Sequence, residues 1–214
     1  MTRDFACERC GACCRRYWVT ILPEELNRGA NMLKIPEKEF VEKYTRLFLQ
    51  IFPTDYRENS LEIFNEFLPK WASKKIENQL GYLPQHFLVL PTLVLKRNGN
   101  DCVFYSGENG CKIHGEKPKQ CGLFPFISLD GKKDFENVYL FCPGLKKQAN
   151  SKKGWKNLGD LHYNEIKDYF ESVKKKGFLK MWNYLPEEGL ILLKNKIVGE
   201  ISQKEFLKSI EPFK

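Results

Sequence analysis

The chain has 214 residues, of which 42% are hydrophobic and 14% aromatic, enough for a folded core and too apolar for a disordered protein. Its net charge is +8, since 35 Lys and Arg outnumber 27 Asp and Glu. The lysines are scattered and are not interleaved with stacking aromatic residues, so we expect a solvated basic surface that does not bind nucleic acid.

No segment of the sequence resembles a membrane span or a secretory signal. The longest apolar run, 87–95, is interrupted by Pro91 and falls well short of the roughly 20 residues that a membrane-spanning helix needs. Residues 1–7 contain no apolar signal core. The sequence therefore predicts a cytoplasmic protein without a membrane partner. Because the cytosol keeps thiols reduced, the eight cysteines favour metal binding over four disulfides.

The N-terminal part of the chain predicts a strand and then helices. Residues 17–22 are β-branched and aromatic, which is typical of a strand. Pro23 then begins a helix that we expect Gly29 to end. Apolar residues at intervals of three and four predict further helices over 36–52 and 61–80, the latter with a break at Pro69.

The middle of the chain predicts two hairpins. Extended runs between residues 93 and 105 flank the turn Asn98-Gly99-Asn100. A similar pattern between residues 127 and 141 surrounds Asp130-Gly131. Both hairpins lie among the cysteines and are expected to carry them.

The C-terminal part predicts a polar, basic linker over 146–156 followed by helices. The segments with helical patterns are 163–176, 178–185, 186–197 and 203–210. We expect an α+β fold in which small antiparallel hairpins carry a cysteine-ligated metal centre and helices pack around them. Residues 1–145 would form the metal-binding domain, with a helical insertion at 23–80, and residues 146–214 a helical extension packed on it.

The eight cysteines form a dense loop and a scattered set. The loop contains Cys7, Cys10, Cys13 and Cys14, and the scattered set contains Cys102, Cys111, Cys121 and Cys142. Neighbouring thiolates repel each other unless a cation holds them together, and the scattered four fall at turns or strand ends, where a side chain is easily aimed. All eight are therefore candidate metal ligands.

The spacing favours an iron–sulfur cluster but leaves zinc open. The C-x-x-C-x-x-C loop followed by a remote Cys-Pro is the bacterial ferredoxin pattern, so one [4Fe–4S] ligand set would be Cys7, Cys10, Cys13 and Cys142. Gly11 suits the bend of such a loop. The remaining Cys14, Cys102, Cys111 and Cys121 would hold a second metal or cluster. Thiolates also accept zinc, so two zinc sites of four cysteines each, or one polynuclear centre with shared ligands, stay as alternatives.

Beyond the cysteines, the sequence identifies no catalytic residue. His114 follows Cys111 by three residues and could ligate a metal, but a partly exposed loop position is the simpler expectation. We assign His86 and His162 no role. The sequence contains no phosphate loop, no Rossmann glycine fingerprint and no nucleophile elbow.

Several of these motifs together resemble a known family. They are the loop Cys7-x-x-Cys10-x-x-Cys13-Cys14, the segment at Cys102, Cys111-Lys112-Ile113-His114, Lys117-Pro118-x-x-Cys121 and Phe124-Pro125. Over residues 5 to 144 the chain resembles the YkgJ-type cysteine-cluster family, which has the CxxCxxCC motif, is described as a zinc- or iron-chelating domain and is often labelled an iron–sulfur protein. The family commonly has Tyr where His114 stands, Arg where Lys117 stands and Arg where Gly122 stands.

The resemblance implies metal binding and leaves three functions open. The first is a metal centre that is redox-active or lies beside a substrate pocket, with an unknown substrate or redox partner. The second is a zinc- or iron-chelating or delivery module without catalysis. The third is a protein lysine methyltransferase-like enzyme, because one similar branch of the family comprises flagellin lysine N-methylases.

Overall fold

The computed structural model describes residues 7–53, 61–107, 110–124, 141–147 and 155–214. Contacts divide the chain into two compact units. The cysteine unit comprises Met1–Ile21 and Leu95–Asp168, and the sheet unit comprises Leu22–Val94 and Tyr169–Lys214. Each unit therefore draws on both sides of the domain boundary predicted at residue 145. The α+β fold class is confirmed.

The sheet unit is built on a mixed sheet. Its strands are β2 (Thr45–Pro53), β3 (Glu62–Phe64), β4 (His86–Leu95), β7 (Glu188–Leu193) and β8 (Lys196–Ser202). They are neighbours in the order β3, β4, β2, β7, β8, with β2 parallel to β7 and the pairs β3–β4 and β7–β8 antiparallel. Strands β2, β4 and β7 are nearly continuous apolar runs, as expected of strands covered on both faces.

Among the described residues, four α-helices lie wholly within the sheet unit. They are α1 (Pro23–Leu33), α2 (Glu37–Tyr44), α3 (Lys70–Leu80) and α7 (Gln203–Ser209). Phe206 on α7 is fully buried, and its ring centroid lies 5.4 Å from that of Phe178. Phe40 on α2 is equally buried and packs its ring against Gly29 on α1. The core of this unit is therefore aliphatic and aromatic.

Four predicted helices are wrong at least in part. The one predicted over 61–80 is helical only from Lys70, and strand β3 and a 3-10 turn precede it. The helix predicted over 36–52 ends at Tyr44, and Thr45–Pro53 forms strand β2. The segments 178–185 and 186–197 contain a single 3-10 turn at Phe178–Met181 and the hairpin of β7 and β8. A continuous apolar run has no period of its own, so burial between neighbouring strands overrode the apparent helical spacing.

The predicted helix break at Pro69 and the predicted last helix are confirmed, whereas the predicted end of α1 is wrong. The break at Pro69 is confirmed, because α3 begins directly after it and the short strand β3 precedes it. Gly29 does not end α1; it lies inside the helix, where only a glycine leaves room for the ring of Phe40. The last predicted helix is confirmed as α7, with Ser202 as its N-cap.

Apart from one long helix, the elements that the structure describes in the cysteine unit are short. They are β1 (Thr20–Ile21), β5 (Arg97–Asn98), β6 (Asp101–Cys102), α4 (Lys119–Leu123) and α5 (Pro143–Lys147), and the long helix is α6 (Trp155–Lys176), which the unit includes up to Asp168. The hairpin around Gly99 is confirmed, and α6 begins inside the segment predicted as a linker. The predicted strand 17–22 is reduced to β1. Except for Phe141, the hairpin predicted between 127 and 141 lies outside the described residues.

Within the described part of the chain, no helix is both long and apolar enough to cross a lipid bilayer.

Candidate metal centre

The cysteine loop turns sharply at Gly11. Its φ of +71° lies in the left-handed region that glycine adopts without strain, which confirms the bend expected there. A Cβ at this position would overlap the ring of Tyr105, so the loop also needs the missing side chain for space. Beyond the bend, the amide of Arg15 donates to the carbonyl of Gly11 and the amide of Tyr17 to the carbonyl of Cys13. The loop therefore closes on itself before it reaches β1.

Side-chain and backbone hydrogen bonds attach the cysteine loop to the β5–β6 hairpin. The Arg15 guanidinium donates to the Tyr105 hydroxyl at 3.1 Å and to the Cys10 carbonyl at 3.3 Å. The amide of Cys102 donates to the carbonyl of Cys14 at 2.9 Å. The guanidinium of Arg97 donates to the Arg15 carbonyl at 2.7 Å. These contacts fix the loop cysteines relative to Cys102.

Three further cysteines are positioned by local structure. Cys111 pairs with Tyr105 in an isolated antiparallel bridge after the turn at Gly107. Cys121 lies on α4, and Gln120 of that helix accepts hydrogen bonds from the amide and hydroxyl of Thr20 at 2.5 and 2.8 Å. Cys142 directly precedes α5, which begins with a proline, a residue that fits the first helical position.

One cavity of about 70 Å³ brings most of the cysteines together. The thiol-bearing residues on its wall are Cys7, Cys10, Cys13, Cys14, Cys111, Cys121 and Cys142. They come from three segments far apart in sequence, and we call this space the thiol cavity. The eighth, Cys102, is buried and is not on the wall. All eight cysteines are described, and each is a free thiol.

A charge on Cys13 affects several of the other cysteines in the group. A hydrogen bond with Cys14, followed by burial, raises the pKa of Cys13 far above its usual value. Burial also raises the pKa of four other thiols, and a charge on Cys13 adds to the rise in each. These four are Cys102, Cys111, Cys121 and Cys142. Thiolates this close repel one another, so the ionised form of the group needs a compensating cation.

The chemistry of the thiol ligands suits a metal, but the described side chains are not gathered around a single position that one ion could occupy. Thiolates are the preferred ligands of zinc and of iron–sulfur clusters. Yet within the described residues no three His, Cys, Asp or Glu side chains are grouped so that they could hold a metal ion. The cavity itself is several times the roughly 10–15 Å³ that one water needs. The cysteines therefore share one cavity, but among the described residues they do not form a ready-made site for a single ion.

Aromatic and basic residues complete the wall of the thiol cavity. The rings of Phe124 and Phe141 lie on it with their centroids 6.1 Å apart, and Tyr105 and Lys117 also contribute. Sequence reasoning missed Tyr105 and Arg15, because neither belongs to a spaced motif. The sequence could have pointed to them only by position, since Tyr105 lies between Cys102 and Cys111 and Arg15 directly follows Cys14.

His114 also lies on the wall of the thiol cavity, and its side chain is partly exposed, as the sequence predicts. Its Nε2 atom is buried and has no hydrogen-bond partner in the part of the chain that the structure describes. Burial, with Lys117 and Arg9 nearby, lowers the pKa of the imidazole. His86 lies on β4, outside the cysteine unit, and the side chain of His162 lies outside the described atoms.

Comparison with known proteins identifies a family. The family model CxxCxxCC, "Putative zinc- or iron-chelating domain", matches residues 6–143, well over half of the chain and all eight cysteines. No curated protein and no solved structure matches significantly.

Proposed function

This chain belongs to the CxxCxxCC family, and we propose that it is a metal-centre protein whose cysteines hold an iron–sulfur cluster of the [4Fe–4S] type. The family match indicates zinc or iron chelation. The step from that to an iron–sulfur cluster depends on the arrangement of the thiols.

The convergence of seven cysteines on one cavity carries the proposal. Two independent four-cysteine zinc sites would divide the thiols between two tight tetrahedral groups. Here the loop cysteines and those at 111, 121 and 142 line the same space, which is larger than one ion requires. This arrangement favours a polynuclear centre.

Within that cavity we assign Cys7, Cys10, Cys13 and Cys142 to the cluster. They have the ferredoxin spacing, and all four are on the wall. Charges on Cys10 and Cys13 raise the pKa of Cys142, which supports their proximity. Cys14, Cys111 and Cys121 line the same wall, so a second set that includes Cys102 would adjoin the first or share ligands with it.

The neighbouring residues suit a redox role. A bound iron–sulfur cluster supplies one-electron transfer. Phe124 and Phe141 make part of the wall apolar, and an apolar surrounding helps to set a reduction potential. Arg9 and Lys117 place positive charge beside the thiolates. Cys7 and Cys10 remain exposed, so electrons from a redox partner have a short route to the centre.

The test is anaerobic purification followed by metal and sulfide analysis. We expect brown protein that contains iron and acid-labile sulfide in near-equal amounts and whose spectrum changes reversibly with dithionite. Colourless protein with stoichiometric zinc and no sulfide would overturn the iron assignment and favour two zinc sites of four cysteines each.

The exposure of Cys7 and Cys10 also favours a second candidate, a module that chelates and delivers metal without catalysis. Such a module must release its ion to a competing ligand. Metal that transfers to a chelator within minutes from the folded protein would support delivery, whereas retention over hours would support a resident centre.

A further inference from the structure

We propose that His114, through its Nε2 atom, is a ligand of the second metal set in the thiol cavity, the one that includes Cys14, Cys111 and Cys121, since Cys7, Cys10, Cys13 and Cys142 already give each iron of the [4Fe–4S] cluster one thiolate. The inference rests on the proposed metal-centre function and deepens it, since it adds a nitrogen donor to a set that the sequence predicts as thiolates alone.

The first observation is the state of the Nε2 atom. It is buried, and it makes no hydrogen bond within the described residues. Buried polar side-chain atoms nearly always have a partner, and one without a partner in a native structure calls for an explanation such as a bound ion. A metal ion supplies the missing partner.

The second observation is the position of the residue. His114 is on the wall of the thiol cavity, together with seven cysteines. Its backbone is held close to one of them, because the amide of His114 donates to the carbonyl of Cys111 at 3.1 Å. The residue then begins the 3-10 turn His114–Glu116, in which the amide of Glu116 donates to the carbonyl of Ile113. The imidazole is therefore carried by ordered backbone next to a proposed ligand.

The third consideration is the chemistry of the donor set. Neutral imidazole is a common metal ligand and binds both zinc and iron. It replaces one thiolate in zinc sites with three cysteines and a histidine, and it replaces thiolates in some iron–sulfur centres. Exchange of a thiolate for a neutral nitrogen lowers the negative charge of the site by one. This matters in a cavity where charges on neighbouring thiolates raise the pKa of Cys13 and of Cys121.

The competing explanation is that His114 only packs against the wall. The same wall includes the rings of Tyr105, Phe124 and Phe141, so the imidazole could serve as one more flat ring there. Packing alone leaves Nε2 without a partner and predicts no bond between nitrogen and metal. The two explanations therefore differ in a spectroscopic signature.

The experiment uses the full chain in two forms. One is reconstituted anaerobically with iron and sulfide, reduced with dithionite and examined by pulsed EPR with natural-abundance and ¹⁵N-histidine-labelled protein. The other is titrated with Co²⁺, whose absorption reports the number of thiolate and nitrogen ligands whether or not a cluster forms. The variants are His114→Ala and His114→Cys, with His86→Ala as the matched control, since His86 lies on β4 outside the cysteine unit.

We expect a strong ¹⁴N coupling in the wild type that changes on ¹⁵N labelling, persists in His86→Ala and is lost in His114→Ala. The affinity for Co²⁺ should fall by about tenfold or more in His114→Ala, the size of loss that weakened support of a metal ligand already produces. His114→Cys should recover the affinity without the nitrogen signal, which a packing role does not predict.

Two failures are distinguishable. If the wild type binds metal but shows no nitrogen coupling, or if His114→Ala keeps its affinity and spectrum, the ligand role of His114 is wrong and the metal centre stands. If the wild type binds neither Co²⁺ nor iron, the proposed function is wrong and this inference falls with it.

Discussion

The sheet unit and the cysteine unit reach an ordered structure by different means. The sheet unit has strands of up to ten residues and contains most of the buried apolar side chains that the structure describes. In the cysteine unit the described strands have two residues each, and two of its buried apolar positions are themselves cysteines, Cys102 and Cys142. Hydrophobic burial can stabilise the first, whereas the second has little apolar mass and should depend on its metal.

Metal removal should separate the two units most clearly. We expect a large fall in melting temperature and rapid hydrogen exchange at residues 7–21 and 95–124 after anaerobic chelation, because the binding energy of the metal contributes to folding. Strands β2 and β7 should keep their slow exchange. Hydrogen exchange read peptide by peptide before and after removal checks this. An unchanged melt after verified metal loss would show that the cysteine unit folds without metal.

Replacement of single loop cysteines comes next. Cys13→Ser should abolish the cluster, because Cys13 is in the proposed ligand set and its charge influences four other thiols. Cys10→Ser, in the middle of the loop, should do the same, since serine binds iron–sulfur centres poorly. Iron and sulfide per chain, measured after anaerobic purification, report the loss.

The neighbouring Cys14→Ser variant is the matched control. It should keep the first cluster if the ligands divide as proposed. Loss of all iron in this variant would mean that the two sets share ligands, and full retention in Cys13→Ser would remove that residue from the set.

A substitution in the core of the sheet unit should lower the stability of that unit and leave metal binding unchanged. Phe206→Ala removes a fully buried ring and should cost the sheet unit about 3–5 kcal/mol of unfolding free energy, while the iron content per folded chain stays unchanged. Urea unfolding with iron analysis checks both. Phe64→Ala is the control, because that ring is 46% exposed and its loss should cost less than about 1 kcal/mol. Release of iron by Phe206→Ala without unfolding would contradict the comparison.

Glycine substitutions test how the cysteine loop is held. Gly11→Ala puts a Cβ onto the ring of Tyr105 and should weaken metal binding by displacing the loop. Gly99→Ala also introduces alanine at a positive φ, of 59°, but meets no atom within 4 Å. It should cost only the roughly 1–2 kcal/mol of backbone strain and keep the metal. Equal metal affinity in the two variants would show that contact with Tyr105 is unimportant.

The smallest expected effect concerns acid stability of the sheet unit. Hydrogen bonds from the amide and hydroxyl of Ser202, and then from Trp71, lower the pKa of Glu205 below its usual 4.5. Its ionised form therefore stabilises the fold above pH 4.5, and this contribution is lost as the pH falls through the lower folded pKa. Glu205→Gln should reduce stability near neutral pH and flatten its decline in acid.

Urea unfolding at a series of pH values measures this effect, with Glu187→Gln as the control for loss of an exposed carboxylate from the same unit. A pH profile of Glu205→Gln that matches the wild type would show that the Ser202–Glu205 cap contributes nothing to acid stability.

Parts of the fold could be read from the sequence where a local signal dominates. Pro23 and Pro69 mark helix boundaries because proline forgoes the first amide hydrogen bond, and α1 and α3 begin there. The same holds for the hairpin at Gly99, since the turn needs a positive φ. Strands β2 and β7 were missed because their pairing is non-local, with Leu47 opposite Gly189.

The features of the candidate site also divide into those that local sequence determines and those that depend on contacts between distant residues. The sequence by itself determined that a dense thiol loop exists, that Gly11 must bend it and that a cation must offset its charge, because all three follow from residue types close together in the chain. Only the tertiary structure decided that cysteines from three distant segments line one cavity, that Tyr105 fills the space which Gly11 leaves, and that Nε2 of His114 is buried there without a partner among the described residues. These depend on contacts between residues far apart in sequence, which no local spacing encodes.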